Sequence, residues 1–145
     1  MKKIIFALII TAGFLSSVAA QTVKKPIKST PVTIKPDFAK GKLVYTKHCM
    51  ACHQIDGGGV MGLNPPLNKT EYVLGDQKRL INIVLKGFNQ EIEIDGDTYA
   101  NPMPALNYLS DQQIADVLSY VRNNLGNKAS IITADQVKKV RASKP

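Results

Sequence analysis

The two cysteines of this 145-residue chain are separated by two residues and followed at once by a histidine, in the segment Cys49-Met50-Ala51-Cys52-His53. This spacing is the attachment pattern of c-type haem. Two intervening residues bring both sulfurs to one edge of the ring, where each thiol adds to a vinyl group. The next residue then places its imidazole on the iron. The segment therefore predicts one haem c, held covalently through Cys49 and Cys52, with His53 as an iron ligand.

Three other chemistries use paired cysteines: a structural disulfide, a thioredoxin-like redox pair and half of a zinc site. A redox pair is expected between a strand and a helix, a context that this segment lacks. A zinc site needs further cysteine or histidine ligands, and outside the motif the chain offers only His48. Haem attachment is the interpretation that fits the motif best.

A haem iron held by one histidine has a sixth coordination position, and the chain has four methionines. Met1 belongs to the N-terminal segment, Met50 lies inside the motif, and Met61 is only eight residues past His53. Met103 lies 50 residues past His53 and between two prolines, which fix the backbone on both sides. That separation allows the chain to cross to the other face of the ring. We expect Met103 to be the sixth ligand, the alternatives being an ordinary core methionine and an open or differently ligated iron.

Other groups near the motif have narrower roles. His48 adjoins the first cysteine and cannot reach the far face of the ring, so we do not expect it to be the sixth ligand. A ligating histidine usually donates its second N–H group to a carbonyl. Pro65 or Pro66 can supply that carbonyl for His53, because the loop containing them must fold back over it. The alternative is that the two prolines only interrupt regular structure.

The N-terminus has the pattern of a secretory signal peptide. Lys2 and Lys3 precede an apolar run over residues 4–15 and small residues that end at Ala20. The run is shorter than the roughly 20 residues that a membrane-spanning helix needs. We expect residues 1–20 to be cleaved, leaving a periplasmic protein with no integral membrane segment; the alternative is an uncleaved anchor. Residues 21–35, with four lysines and no acid, predict a flexible basic leader.

The formal net charge of +8 belongs to the ends of the chain. Residues 36–126 contain eight Lys or Arg and ten Asp or Glu, which gives this segment a charge of −2. Nucleic-acid binding needs a basic patch with a supporting motif, and this charge distribution does not supply one. In the C-terminal extension, residues 127–145, Lys138, Lys139 and Arg141 are either docking charges for a partner or a solvated face.

The elements that must position these residues are mainly helical. Helices are predicted from about residue 37 to the motif, from 76 to 87, from 110 to 126, and in the extension from Thr133. Residues 54–70 predict a long loop, and a short hairpin ends near Tyr99. Gly41 in the first helix costs about 1 kcal/mol relative to alanine. We therefore expect a close crossing of Gly41 with Tyr120, or with Tyr45 instead.

Taken together, residues 37–126 resemble the small class I cytochromes c that carry a single haem. The resemblance comprises Gly41 and Tyr45 before CMACH, then QIDGGGVMGLNPPL, YANPMPAL and LSDQQIADVLSYVRN, in the expected order. It implies a cytochrome c fold over residues 36–126, mainly α, with three core helices around one covalently bound haem, long loops and a short hairpin. It also implies that Cys49, Cys52, His53 and Met103 have the thioether and axial-ligand roles.

The implied function is single-electron transfer without catalysis. The extension GNKASIITADQVKKVR is similar to those of cytochromes that serve periplasmic dehydrogenases, nitrite reductases and oxidases. We expect redox proteins of these classes as partners, and a monomer unless it is docked in a complex. The alternatives are an electron-transfer subunit fixed to an oxidoreductase and a haem enzyme with an open iron site.

Overall fold

The computed structural model describes residues 35–143 and contains six helices and one small sheet in that range. The predicted signal peptide and residues 21–34 of the predicted leader lie outside the described residues. The fold is mainly α with a two-stranded antiparallel sheet, as the sequence predicts. In chain order the elements are α1 (Phe38–His48), α2 (Met50–His53), α3 (Glu71–Leu74), α4 (Gln77–Lys86), β1 (Ile92–Ile94), β2 (Asp97–Tyr99), α5 (Asp111–Asn123) and α6 (Ala134–Ala142).

The helices begin where short polar side chains can cap them. Asp37 accepts hydrogen bonds from the first turn of α1, and Asp76 accepts one from the N–H of Arg79 in α4. Ser110 and Thr133 start α5 and α6, each through a capping box. Each such cap stabilises a helix by about 1 kcal/mol, because it satisfies backbone donors that have no partner within the helix.

Helices α1 and α5 cross closely at Gly41. A Cβ atom at Gly41 would lie 2.2 Å from the backbone oxygen of Asp116 and 2.8 Å from the Cβ of Tyr120. The predicted contact with Tyr120 is therefore present, and the backbone of α5 is closer still. Tyr45 also contacts Tyr120, with ring centroids 5.7 Å apart. The Asp116 side chain accepts a hydrogen bond from the N–H of Asp37, which fixes the start of α1 against α5.

The C-terminal extension takes part in the hydrophobic core. Ile132 and Val137 are fully buried, and Val140 is buried beside them. The hydroxyl group of Ser119 in α5 donates to the carbonyl of Ile132 and accepts from its N–H, so the extension is also hydrogen-bonded to α5. The basic residues of α6 therefore occupy one side of a helix whose other side is packed.

Asn127 joins three segments through its buried side chain. Its Oδ1 accepts from the N–H of Lys69, while its Nδ2 donates to the carbonyls of Leu67 and Val121. These bonds tie the long loop after the motif to the end of α5. The sequence pattern does not predict them, because an asparagine after a helix-ending glycine is typical of any turn.

Two short helices and one turn complete the frame. The motif itself forms α2, and Thr70 caps α3 through a hydrogen bond from the N–H of Val73; neither helix was predicted. The hairpin is where the sequence places it, and Asp95 and Gly96 both have positive φ, as a tight two-residue turn requires. No helix within residues 35–143 is long and apolar enough to cross a membrane.

Candidate functional site

The end of α1 and the single turn of α2 present the motif to one cavity. His48, Cys49, Cys52 and His53 all line it. Cys49 is half-buried and Cys52 is exposed, and neither forms a disulfide. Burial, and after it the neighbouring Cys52, raises the pKa of the Cys49 thiol to about 11, so this group is a neutral thiol at pH 7 before any bond forms.

His53 is buried and has a fixed orientation. Its Nδ1 lies 2.9 Å from the carbonyl oxygen of Pro65. Because a carbonyl can only accept, Nδ1 carries the proton and Nε2 keeps its lone pair for a metal. Burial lowers the pKa of His53, and the bond to Pro65 offsets this only in part, so the ring is neutral at pH 7. Of the two prolines considered from the sequence, Pro65 is the acceptor.

The loop after the motif is shaped to bring Pro65 back over His53. The N–H of Gly59 donates to the carbonyl of His53, and the N–H of Leu67 donates to that of Gly57. Gly59 has a φ of +70°, and a Cβ there would lie 2.3 Å from the carbonyl oxygen of Asn64. Only glycine fits this approach of two backbone segments.

Tyr45 braces the residue that follows His53, a contact that sequence reasoning missed. Its hydroxyl group donates to the carbonyl of Gln54 at 2.5 Å. Gln54 has a φ of +64°, which is unusual for a residue with a side chain and needs support from its surroundings. Burial raises the pKa of Tyr45, followed by smaller effects of Cys49, Tyr120 and Asp56, so the hydroxyl group stays protonated at neutral pH.

Met103 lines the same cavity from a segment 50 residues after His53. Its backbone pairs with Phe88 in both directions, with N···O distances of 2.8 and 2.9 Å. Gly87, with a φ of +77°, allows this pairing, because a Cβ there would lie 2.6 Å from the Met103 carbonyl oxygen. The sequence indicated the two flanking prolines but not the pairing with Phe88.

The rest of the cavity wall is mostly apolar. The hairpin contributes Ile92, Ile94 and Tyr99 on its inner side, while Glu91 and Glu93 are exposed. Helices α4 and α5 contribute buried aliphatic side chains: Leu80, Val84, Val117, Leu118 and Val121. His48 lies at the edge, where its Nδ1 is 3.2 Å from the hydroxyl oxygen of the exposed Tyr108.

The cavity and its donor atoms fit a haem. The open space between its walls, including the mouth, is about 1250 Å³, and its lining is mostly apolar, as is usual for cofactor sites. The four donor groups are two thiols, one imidazole nitrogen and one thioether, a set suited to thioether attachment and soft iron ligation. No group of three or more His, Cys, Asp or Glu residues within positions 35–143 forms a metal site, so the zinc interpretation gains no further ligand there.

Comparison with known proteins also indicates a haem protein. The family model described as Cytochrome c matches residues 38–124. Cytochrome c-552 of Thermus thermophilus is 34% identical over 115 residues, which cover 73% of this chain and 87% of that protein. A second relative is the cytochrome c subunit of the quinone alcohol dehydrogenase of Gluconacetobacter polyoxogenes, 38% identical over 104 residues. A third is the gluconate 2-dehydrogenase cytochrome c subunit of Pantoea cypripedii, 37% identical over 109 residues.

The matched share of the relative's own length differs between cytochrome c-552 and the dehydrogenase subunits. The alignments cover 70% and 72% of this chain but only 22% and 24% of the two dehydrogenase subunits. Cytochrome c-552, in contrast, is matched over most of its length. With the match of residues 38–124 to the family model, these observations show that the chain belongs to the cytochrome c family, the electron-transferring proteins that bind haem c covalently.

Proposed function

We propose that this cytochrome carries single electrons outside the cytoplasm, with its haem attached through Cys49 and Cys52 and its iron held by His53 and Met103. The observation that carries this proposal is that all four side chains line one apolar cavity. In addition, the hydrogen bond of His53 to Pro65 leaves Nε2 as the free ring nitrogen. Bound haem supplies a metal centre that gains and loses one electron.

The protein groups would fix that centre and adjust its potential. The bond between His53 and Pro65 holds the imidazole in one orientation and one tautomer. As an iron ligand, the Met103 thioether would favour the reduced form and so raise the reduction potential relative to two nitrogen ligands. The aliphatic walls from α4 and α5 exclude water. Held by both His53 and Met103, the iron would offer no open position to a substrate, which supports electron transfer over the haem-enzyme alternative.

Replacing the proposed sixth ligand tests this arrangement. We expect oxidised Met103→Ala protein to lose the thioether-to-iron charge-transfer band in the red, to bind cyanide rapidly, and to have a lower reduction potential. Met61→Ala is the matched control, since Met61 is 76% exposed and does not line the cavity. Retention of the band in Met103→Ala, or its loss in Met61→Ala, would contradict the assignment.

The two thioether bonds have a separate test. Cys49→Ala and Cys52→Ala proteins are each expected to keep haem through a single bond, and the double variant is expected to lose it on denaturation. Intact-mass spectrometry under denaturing conditions distinguishes these cases. Haem that stays with the denatured double variant would refute the proposed attachment.

The location and the mature N-terminus are also part of the proposal. The pattern of residues 1–20 supports export and cleavage after Ala20, which gives a periplasmic protein that starts at Gln21. Mass spectrometry of the protein purified from a periplasmic extract is expected to show this start. A chain that retains Met1, found in the membrane fraction, would indicate an uncleaved anchor instead.

Two modes of action remain as candidates within electron transfer. The similarity to cytochrome c-552 over most of its length supports a carrier that shuttles between redox proteins. The similarity to dehydrogenase subunits favours, as the second candidate, a subunit fixed to an oxidoreductase. Dehydrogenases, nitrite reductases and terminal oxidases are the proposed partner classes. Co-purification separates the two modes, because a shuttle is expected to dissociate as salt screens its contacts, whereas a fixed subunit stays bound.

A further inference from the structure

Arg141 connects the C-terminal helix to the chain segment that follows Met103. Its guanidinium group makes three hydrogen bonds, with Nε donating to Asp111 Oδ1 at 2.7 Å. Its Nη1 and Nη2 donate to the carbonyls of Asn107 and Leu109, both at 2.8 Å. The family model ends at residue 124, so this connection is made by a part of the chain beyond the matched region.

The segment held by Arg141 is also anchored by Leu106 and Leu109, which are buried in the core, and by Tyr108, whose hydroxyl group contacts His48. Residues 104–110 join Met103 to α5 without forming a helix or strand. The N–H of Leu106 donates to the carbonyl of Val84, and Leu109 closes a turn onto Leu106. The guanidinium group of Arg141 therefore supplies partners for two carbonyls that this segment's own turn does not use. Charge-assisted bonds of this kind are stronger than neutral ones.

We propose that Arg141 is a positioning residue for Met103: by fastening residues 107–111 it opposes withdrawal of the Met103 sulfur from the cavity. This inference rests on the proposed role of Met103 as the sixth ligand. For the sulfur to leave, the segment between Phe88 and α5 must open locally. The bonds of Arg141 to residues 107, 109 and 111 hold part of this segment, so they raise the free energy that its local opening requires.

The geometry separates this role from general stabilisation of the fold. Helix α6 is held by Val137 and Val140 in the core and by a hydrogen bond between Gln136 and Gln77 of α4. Arg141 lies after these contacts, near the last residue of α6. Removing its guanidinium group leaves the packed side of the helix intact and removes three hydrogen bonds from the segment after Met103.

The test compares variants of the oxidised holoprotein in their binding of imidazole, which can enter only when the Met103 sulfur leaves. We expect Arg141→Gln to bind imidazole about fivefold more tightly, which corresponds to about 1 kcal/mol. The pair between Arg141 and Asp111 is about one-third exposed, which keeps the expected effect at this size. Arg141→Lys retains the charge without the planar fork and is expected to show a smaller increase.

Lys139→Gln is the matched control. Lys139 is exposed on the same helix, and its replacement removes the same charge without removing a side-chain hydrogen bond seen in the structure. Equal imidazole affinity in wild type and Arg141→Gln would overturn the inference, as would an equal increase in Lys139→Gln. An increase that merely follows a loss of global stability, measured by guanidinium unfolding, would also overturn it. If Arg141→Gln does not fold, Arg141→Lys provides the same comparison.

The failure of this inference can be distinguished from failure of the proposed function. If Met103 is not the sixth ligand, the Met103→Ala protein will show the same charge-transfer band as wild type. If Met103 is the ligand but Arg141 does not position it, Met103→Ala will abolish the band while Arg141→Gln leaves imidazole binding unchanged.

Discussion

The close approach of α1 and α5 at Gly41 gives the most direct test of the fold around the site. In a Gly41→Ala protein the new Cβ would lie 2.2 Å from the carbonyl oxygen of Asp116 and 2.8 Å from the Cβ of Tyr120. The first contact is with backbone, which cannot turn aside as a flexible side chain can. The two helices must therefore move apart, or the local backbone must distort.

Two opposing effects set the size of the change. Alanine has the better helix propensity, by about 1 kcal/mol. Overpacking in a close-packed interior costs about 1–3 kcal/mol, and a contact this short with backbone belongs at the upper end. The net expectation is a loss of about 2 kcal/mol in the free energy of unfolding, or a decrease of about 8 °C in the melting temperature.

Guanidinium unfolding of the holoprotein, followed by far-ultraviolet circular dichroism, measures this loss. The midpoint is expected to fall while the slope of the transition stays unchanged. Gly58→Ala is the control, because its Cβ would meet only the Asp56 carboxylate, at 3.2 Å, a side chain that can move. A change within about 0.5 kcal/mol is expected there. A Gly41→Ala protein as stable as wild type would refute the close crossing.

Three further predictions concern contacts around the motif and the Met103 segment. Asn127→Ala leaves three backbone partners unpaired and is expected to cost about 3 kcal/mol, measured by the same unfolding assay. Burial raises the pKa of Tyr45 above its unfolded value of about 10, so its contribution to stability is complete below pH 10 and decreases above it. Between pH 8 and 11 the free energy of unfolding is therefore expected to fall less in Tyr45→Phe than in wild type. Equal falls in the two proteins would contradict this. Gly87→Ala, at a φ of +77° and against the Met103 carbonyl, is expected to weaken the charge-transfer band; an unchanged band would show that this backbone pairing does not hold the sulfur.

Features whose signal is local in the chain were predictable from the sequence. The motif identified the cofactor chemistry, and the capping boxes at Ser110 and Thr133 marked the starts of α5 and α6. The Asp95-Gly96 turn located the hairpin. Each of these signals lies within a few residues, so no knowledge of the tertiary structure was needed to interpret it.

Features that join distant segments were not predictable in detail. The choice of Pro65 over Pro66 depends on how the loop folds back, which the sequence constrains but does not determine. The hydrogen bonds of Tyr45 and Arg141 end on backbone carbonyls, and every residue offers one, so residue types alone cannot identify the partner. The sequence also left open whether Arg141 is a docking charge or part of a solvated face. In the structure the guanidinium group of Arg141 is hydrogen-bonded to the segment after Met103, although Lys138, Lys139 and Arg141 are all exposed.

The hairpin next to the cavity has a thermodynamic consequence for electron uptake. Its isoleucines line the cavity, and the exposed acids Glu91, Glu93 and Asp95 lie on or beside it. Glu71 and Lys69 line the same surface groove as Glu93 and Asp95, so the acids outnumber the bases there. Negative charge beside the cavity opposes the arrival of an electron and stabilises the oxidised form. Because dissolved ions screen exposed carboxylates, the driving force for reduction should rise with ionic strength. The hairpin that lines the cavity with apolar side chains thus also makes the carrier's reduction potential depend on ionic strength.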